Sequence, residues 1–172
     1  MRRGQAVTDR TTSIVIAGLG GQGIITASDI LSQAAFLAGH DVKKAEVHGM
    51  SQRGGFVTSD VRYGRQVLSP MVPAGEADFL VVFDATQTES ARPSLRKDGR
   101  ILQAASIDTA ALPTAKALNV ALMGFLSVFL DIPESAWKQA IQKNLPEKLH
   151  EANFKAFDVG RQTGEKEKNH AG

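Results

Sequence analysis

The fold of this chain is decided by Ser13-Ile-Val-Ile-Ala-Gly-Leu-Gly-Gly-Gln-Gly23, a continuous apolar run followed at once by a glycine-rich loop. A short apolar run of this kind is typical of a strand that is buried on both faces. Apolar residues then recur at helical spacing from Ile24 to Ala38, and Gly39 stands where a helix end needs a left-handed residue. With a second strand at Val42–Val47, the pattern predicts a parallel, right-handed strand–helix–strand unit.

The rest of the chain predicts an α/β fold with a helical C-terminal third. Phe56 to Tyr63 alternates as a half-buried strand does, and Gln66–Leu68 is expected to return as its hairpin partner. Buried strands are predicted at 79–83 and 100–103, and the last helix is expected to end at Gly160. We therefore expect a three-layer α/β/α domain over 13–160, with a mostly parallel (mixed) sheet and a Rossmann-like N-terminal unit. Residues 1–12 and 161–172 are predicted to be flexible tails.

Composition excludes several classes of function. The net charge is +2, but the two tails carry +3 of it, so the body is near neutral and predicts no nucleic-acid partner. The chain has no cysteine, which excludes disulfides, thiol nucleophiles and iron–sulfur ligation by this chain. The four histidines show no ligand spacing, so we expect no metal. No apolar stretch is long enough to predict a membrane helix or a signal peptide, and a cytoplasmic protein is expected.

The motif Gly18-x-Gly20-x-x-Gly23 follows a strand and opens a helix. Small residues let a backbone approach a ligand, and amides at a helix start favour an anion. A tight strand-to-helix turn without any ligand is the alternative interpretation. A dinucleotide site would also need an acidic residue after the second strand, and Glu46 stands about 20 residues beyond the loop.

A second polar segment, Glu46–Gly55, lies between two predicted strands and contributes little to a core. Arg53 is suited to bind a carboxylate or phosphate, or else it pairs with Asp60 or Glu46. No base stands near Ser51 in the sequence to activate it, so the pattern indicates no nucleophile. Asp84, after the strand at 79–83, is expected to cap the next helix.

Three segments of the chain resemble, in the same order, the gamma-type domain of 2-oxoacid:ferredoxin oxidoreductases. They are GLGGQGIITASDIL, EVHGMSQRGGFVTSDVRYG and LSPMVPAGEADFLVVFD. The HGMSQRGG version is similar to that of beta subunits of indolepyruvate ferredoxin oxidoreductases. The resemblance covers roughly residues 13–160. Together, the motifs predict a site that contacts substrate, cofactor or partner at Gly18, Gly20, Gly21, Gln22, Gly23, Glu46, Ser51, Gln52, Arg53, Gly54 and Gly55.

The resemblance implies a subunit that is not active alone. Enzymes of this family use thiamine diphosphate to decarboxylate a 2-oxo acid, pass electrons through iron–sulfur clusters to ferredoxin, and transfer the acyl group to coenzyme A. This chain lacks cysteine and a Gly-Asp-Gly signature, so those cofactors are expected on a larger partner subunit. Ferredoxin would be an indirect partner, and homo-oligomerisation is left open.

One departure leaves two alternatives open. Family members usually carry a few tens of further residues between the strand at Ile101 and the Asn119 region, where this chain has only Ala104–Leu118. One alternative to an enzyme subunit is a freestanding nucleotide-binding α/β protein that uses Gly18–Gly23 as a phosphate cradle. The other, which the shortened segment favours, is an interaction module that has kept the fold and lost the chemistry.

Overall fold

The computed structural model describes residues 10–48 and 55–171. Within these residues the strands are β1 (Thr12–Leu19), β2 (Asp41–His48), β3 (Phe56–Gly64), β4 (Ala77–Val82) and β5 (Leu95–Gln103). The α-helices are α1 (Ile24–Leu37), α2 (Thr88–Ala91), α3 (Leu118–Ser127), α4 (Glu134–Asn144) and α5 (His150–His170). Three single 3₁₀ turns, Ala104–Ser106, Thr109–Ala111 and Ala115–Ala117, connect β5 to α3.

The five strands form one mixed sheet in the order β2-β3-β1-β4-β5. β1 is parallel to β4, and β4 is parallel to β5, whereas β3 is antiparallel to both β1 and β2. The α/β fold with a mixed sheet is therefore confirmed. β1 and β2 point the same way, as the predicted strand–helix–strand unit requires, but they are not neighbours in the sheet. β3 pairs along its whole length with both strands and separates them.

The predicted hairpin partner at Gln66–Leu68 is also wrong. β3 already has a neighbour on each side, so the chain after Gly64 leaves the sheet as a loop. Side chains of the sheet hold this loop in place: the Val67 amide donates to Asp41 at 2.7 Å, and the Val72 amide donates to Asp60 at 2.9 Å. Arg62 donates to the Ser69 carbonyl at 3.1 Å.

The two faces of the sheet are covered unequally. α1, α3, α4 and α5 pack on the face that carries Ile14 and Ile16, and this is the main core. The opposite face carries Val15 and Leu80 and packs against α2 and against Val72 of the loop. Burying one such aliphatic side chain contributes about 1.5–3 kcal/mol, so most of the stabilisation comes from the first face.

α3 lies between the sheet and α5, and its residues Val120–Ser127 are all buried. Glycines allow this close approach, because a Cβ on Gly160 would lie 1.7 Å from the Ala121 carbonyl oxygen. The predicted helix end at Gly160 is wrong, since α5 continues to His170. Residues 161–170, expected to belong to a flexible tail, are helical, and Arg161 donates to the Ser127 hydroxyl at 3.0 Å. Residues 1–9 lie outside the described residues.

Candidate site at the carboxyl edge of the sheet

Four strands end at the same edge of the sheet, which we call the carboxyl edge. β1, β2, β4 and β5 all run toward it, and the antiparallel β3 begins there. The glycine-rich loop follows β1, Asp84 follows β4, and the chain leaves β2 at His48 and enters β3 after Gly55. In open α/β sheets, ligands bind at the carboxyl ends of the strands. The topology thus brings the separate polar segments to one edge.

A backbone hydrogen bond joins the two segments that the sequence singled out. The Gly20 amide donates to the Gly55 carbonyl at 3.1 Å. Gly18, which precedes the loop, is enclosed: a Cβ there would lie 2.7 Å from Gln22 Oε1 and 2.9 Å from Phe83 Cβ. Gly21, in contrast, has a φ of +89°, and among residues 10–48 and 55–171 no non-neighbouring residue lies within 4 Å of its Cβ position. The described residues therefore confine the loop at Gly18 and leave it uncovered at Gly21.

Gln22 points into its own loop. Its Oε1 accepts a hydrogen bond from the Leu19 amide at 2.7 Å, and its Nε2 donates to Asp84 Oδ2 at 3.2 Å. Asp84 also accepts from the Thr86 amide at 3.0 Å, which confirms the predicted cap. Hydrogen bonds from the Thr86 side chain, then from the Thr86 amide and Gln22, lower the pKa of Asp84 below its usual range. An ionised carboxylate thus ties the end of β4 to the loop after β1.

Gly23 forms the start of α1 in a left-handed conformation, with a φ of +82°. A Cβ at this position would lie 2.6 Å from Asn119 Nδ2, which donates to the Gly23 carbonyl at 3.3 Å. Within the described residues no side-chain hydrogen bond caps the start of α1, and its first turn contains no acidic residue. The first amides of a helix have no acceptor within the helix, so they favour an anionic group.

Lys116 and Asn119 complete a cleft of about 300 Å³ beside this helix start. Gly21, Gln22, Gly23 and Phe83 line its other walls. Sequence reasoning missed Lys116, because nothing in its local pattern places it near residues more than 90 positions earlier. The only available signal was topological: β5 ends at the carboxyl edge, so the turns that follow it begin there. An exposed lysine beside uncapped amides suits a phosphate or a carboxylate.

Glu46 pairs with a lysine of its own strand. Its carboxylate accepts a hydrogen bond from Lys44 Nζ at 2.8 Å, and Lys44 also pairs with Asp29 of α1. Burial lowers the pKa of Lys44, but its hydrogen bonds to Asp29 and Glu46 outweigh burial and raise it overall. The structure therefore places Glu46 in an ion-pair cluster that joins β2 to α1.

The predicted site residues divide into three groups. The structure brings Gly18, Gly20, Gly21, Gln22, Gly23 and Gly55 together at the carboxyl edge. Glu46 belongs to the ion-pair cluster with Lys44. Ser51, Gln52, Arg53 and Gly54 lie outside the described residues, so their contact role stays a prediction.

Within residues 10–48 and 55–171, no group of three histidine or acidic side chains is arranged to hold a metal ion. A search of the described helices also finds none that is long and apolar enough to span a bilayer.

Comparison with known protein families assigns the chain. The family profile described as "Pyruvate ferredoxin/flavodoxin oxidoreductase" matches residues 13–163. The chain belongs to this family. Indolepyruvate oxidoreductase subunit IorB of Pyrococcus horikoshii is 34% identical over 188 residues, covering 86% of this chain and 93% of that protein. The corresponding subunit of Thermococcus kodakarensis is 33% identical with the same coverage. The chain is thus a gamma or IorB-type subunit of a 2-oxoacid ferredoxin oxidoreductase.

Solved structures share the fold of this oxidoreductase subunit. The gamma subunit of a keto/oxoacid ferredoxin oxidoreductase from Geobacter sulfurreducens superposes with a TM-score of 0.77 and 22% identity, over 89% of this chain and 98% of that one. The 2-oxoglutarate:ferredoxin oxidoreductase from Magnetococcus marinus also has a TM-score of 0.77, at 18% identity. Its structure was solved with 2-oxoglutarate, coenzyme A and succinyl-CoA bound. It covers 91% of this chain and 31% of that chain. At these identities the likeness concerns the fold alone.

The relatives also contain residues that this oxidoreductase subunit lacks. The alignment with the Pyrococcus protein spans 188 positions, whereas 86% of this chain is about 148 residues. About 40 aligned positions therefore hold no residue of this chain. That number agrees in size with the segment expected to be missing before Asn119, where three 3₁₀ turns connect β5 to α3.

Proposed function

We propose that this subunit completes the active site of an indolepyruvate or aryl pyruvate ferredoxin oxidoreductase. The reactive cofactors, thiamine diphosphate and the iron–sulfur clusters, belong to a larger partner subunit. The complex would decarboxylate the 2-oxo acid, pass two electrons to ferredoxin and transfer the acyl group to coenzyme A. The residues of this chain do not fit the clusters, because it contains no cysteine to ligate iron.

The convergence at the carboxyl edge supports this role most directly. The open glycine-rich loop, the uncapped start of α1 and both ends of the β2–β3 connection meet there. The described side chains at this edge include the Gln22 amide group and Lys116, beside the backbone amides of the loop. Gln22 and Asp84 are already bonded to each other, which makes them positioning groups. Such an edge is suited to bind and orient, while the bond-breaking groups come from another chain.

The substrate proposal rests on the relatives. Two relatives at 33–34% identity over 86% of this chain are named indolepyruvate oxidoreductase subunits. A pyruvate synthase subunit of Methanocaldococcus jannaschii is also similar, at 29% identity over 83% of this chain. We therefore expect aryl pyruvates to be preferred over pyruvate, and a substrate series decides between them.

Coenzyme A is the candidate occupant of the cleft that Lys116 lines. The coenzyme carries phosphates, and the cleft offers one lysine together with the free amides at the start of α1. The Magnetococcus enzyme, whose structure contains coenzyme A, has a region of the same fold. In this proposal Lys116 and the amides hold an anionic group of the coenzyme, while Asn119 keeps Gly23 in place.

Reconstitution with the partner tests the proposed function. The chain is co-expressed with its cognate larger subunit, and reduction of ferredoxin is measured with indolepyruvate, phenylpyruvate and pyruvate in the presence of coenzyme A. We expect a stable complex, turnover with the aryl pyruvates, and no turnover by the 172-residue chain alone. Failure of the two subunits to associate, with tight binding of NAD or FAD by the isolated chain, would instead support the freestanding nucleotide-binding protein.

A further inference from the structure

A second cavity lies at the opposite edge of the sheet, where β1 and β4 begin. Its volume is about 670 Å³, in the range of small-molecule sites. We call it the basal cavity, and its walls include His40, Tyr63, Phe79, Arg100, Phe129 and Asp131. It shares no lining residue with the cleft at the carboxyl edge. Any ligand here is therefore separate from the proposed function.

Most charges around the basal cavity neutralise each other. Asp78 forms ion pairs with both Arg10 and Arg96, the latter at 2.8 Å. Arg96 also pairs with Asp98 at 2.7 Å. These four side chains form one ion-pair network in which positive and negative charges alternate. The network has no net charge with which to attract a ligand.

Arg100 and Asp131 are the exceptions. The Arg100 guanidinium lies 4.3 Å from the centroid of the Phe129 ring, and it has no ion pair among the described residues. Stacking uses a face of the guanidinium, so its N–H groups stay available to an anion. Asp131 is exposed and likewise has no ion pair in the described part of the chain. Burial, and to a smaller extent the negative charge of Asp131, raises the pKa of the Tyr63 phenol.

Aromatic rings supply the apolar part of the same cavity. Phe79 and Phe129 lie 6.3 Å apart between ring centroids, and Phe129 also contacts Phe125 at 6.1 Å. His40 and Tyr63 form a second tilted pair at 4.9 Å. These rings give the cavity an apolar wall against which a further aromatic ring can pack.

We propose that the basal cavity binds an α-amino acid with an aromatic side chain. Arg100 would bind its carboxylate, Asp131 would bind its ammonium group, and the Phe79–Phe129 pair would contact its ring. A ligand with only one charge can form an ion pair with just one of Arg100 and Asp131. A zwitterion satisfies both, which is why the amino acid is favoured over a simple organic acid or amine.

Three related ligands test the assignment on the full 172-residue chain by calorimetric titration. L-Phenylalanine has both charges, 3-phenylpropionate lacks the ammonium group, and 2-phenylethylamine lacks the carboxylate. We expect L-phenylalanine to bind about tenfold more tightly than either analogue, the loss usual for one charged hydrogen-bonding partner. Equal affinity for all three ligands, or no binding of L-phenylalanine at millimolar concentration, would overturn the proposal.

Two variants assign the charges separately. Arg100→Gln is expected to weaken the binding of L-phenylalanine and 3-phenylpropionate about tenfold and to leave the affinity for 2-phenylethylamine unchanged. Asp131→Asn is expected to weaken the binding of L-phenylalanine and 2-phenylethylamine and to leave the affinity for 3-phenylpropionate unchanged. Lys97→Gln and Glu76→Gln, two exposed charges outside the cavity lining, serve as matched controls. If Arg100→Gln and Asp131→Asn, shown to be folded by thermal unfolding, bind L-phenylalanine as the wild type does, the site is wrong.

Discussion

The Gln22 side chain fixes the turn of the glycine-rich loop. It accepts a hydrogen bond from the Leu19 amide and donates one to Asp84. Gln22→Ala leaves the Leu19 amide to water and removes the link between the ends of β1 and β4. Because the site is exposed, we expect a loss of about 1 kcal/mol in the free energy of unfolding. Urea denaturation measures it, with the exposed helical Gln162→Ala as the control. A loss no larger than that of the control would show that the two hydrogen bonds do not stabilise the loop.

Asp60 makes the stability of the protein depend on pH, and its burial determines the direction of that dependence. Burial raises the pKa of Asp60 above its ordinary 3.8, against the lowering effects of the Val72 amide and Arg62. The folded protein thus retains this proton to a higher pH than the unfolded chain does. The stability that the protonated group contributes is complete below pH 3.8 and is lost as pH rises through the raised pKa.

Asp60→Asn removes this titration while leaving an oxygen to accept from the Val72 amide. Relative to wild type, the variant is therefore expected to be more stable at about pH 7 than at about pH 4. Urea denaturation of both proteins at the two pH values measures the difference, and Glu76→Gln on the surface should show none. If the stability of Asp60→Asn relative to wild type fell from pH 4 to pH 7, the pKa of Asp60 would not be raised in the folded protein.

Sequence reasoning at the residue scale succeeded where the chemistry is local. Asp84 was predicted as a cap because a carboxylate two residues before an amide can reach it, and it does. The glycines of the loop were expected to permit a tight turn, and Gly18 and Gly23 are in fact sterically confined. Lys116 was not predicted, because its place beside Gly23 depends on how the chain folds after β5. The partners of Glu46 were missed because pairing with Lys44 and Asp29 depends on which face of β2 meets α1.

At the scale of elements, the close contact of α3 and α5 is the feature most sensitive to substitution. Gly→Ala in an exposed helix ordinarily stabilises by about 0.5–1 kcal/mol. Gly160→Ala is expected to do the opposite and to cost about 3 kcal/mol, because its Cβ would lie 1.7 Å from the Ala121 carbonyl oxygen. Gly164→Ala should cost less, since its closest contact is the Val128 side chain at 2.8 Å. Thermal and urea unfolding rank the two variants, and an equal or reversed ranking would mean that α5 shifts away freely.

The predicted elements were correct where periodicity was strong and wrong where long-range pairing decides. β1, α1, β4 and the buried α3 follow directly from apolar runs and helical spacing. The position of β3 between β1 and β2 was missed, because alternation in Phe56–Tyr63 indicates a strand without indicating its neighbours. The end of α5 was missed because its last turns are polar on the exposed side, while Gly164 packs against α3 and the residue after it.

At the scale of the whole molecule, the subunit has two chemically different ends. The carboxyl edge carries Lys116 and helix-start amides without a cap among the described residues, and it is the end proposed to meet the partner's cofactors. The opposite end holds the basal cavity, with its ion-pair network and two charges, Arg100 and Asp131, that have no ion pair in the part of the chain that the structure describes. An effect of amino acid binding on turnover would therefore have to pass through the sheet that joins the two ends.

The central claim is that substrate, coenzyme or partner approaches the open side of the glycine-rich loop. Gly21, Gly39 and Gly75 all have positive φ, of +89°, +96° and +77°, and among the described residues no non-neighbouring residue lies within 4 Å of any of their Cβ positions. Replacing any of them by alanine therefore costs similar backbone strain, about 1 kcal/mol, without a steric clash against the described residues. Of these three glycines, only Gly21 lies at the carboxyl edge.

Turnover of the reconstituted complex with Gly21→Ala, compared with Gly39→Ala and Gly75→Ala, tests this claim most directly. The three variants are expected to unfold at similar temperatures, whereas ferredoxin reduction with an aryl pyruvate and coenzyme A falls at least about tenfold in Gly21→Ala alone. Turnover of Gly21→Ala equal to that of the two control variants would contradict the account, because the added methyl group would then meet neither ligand nor partner.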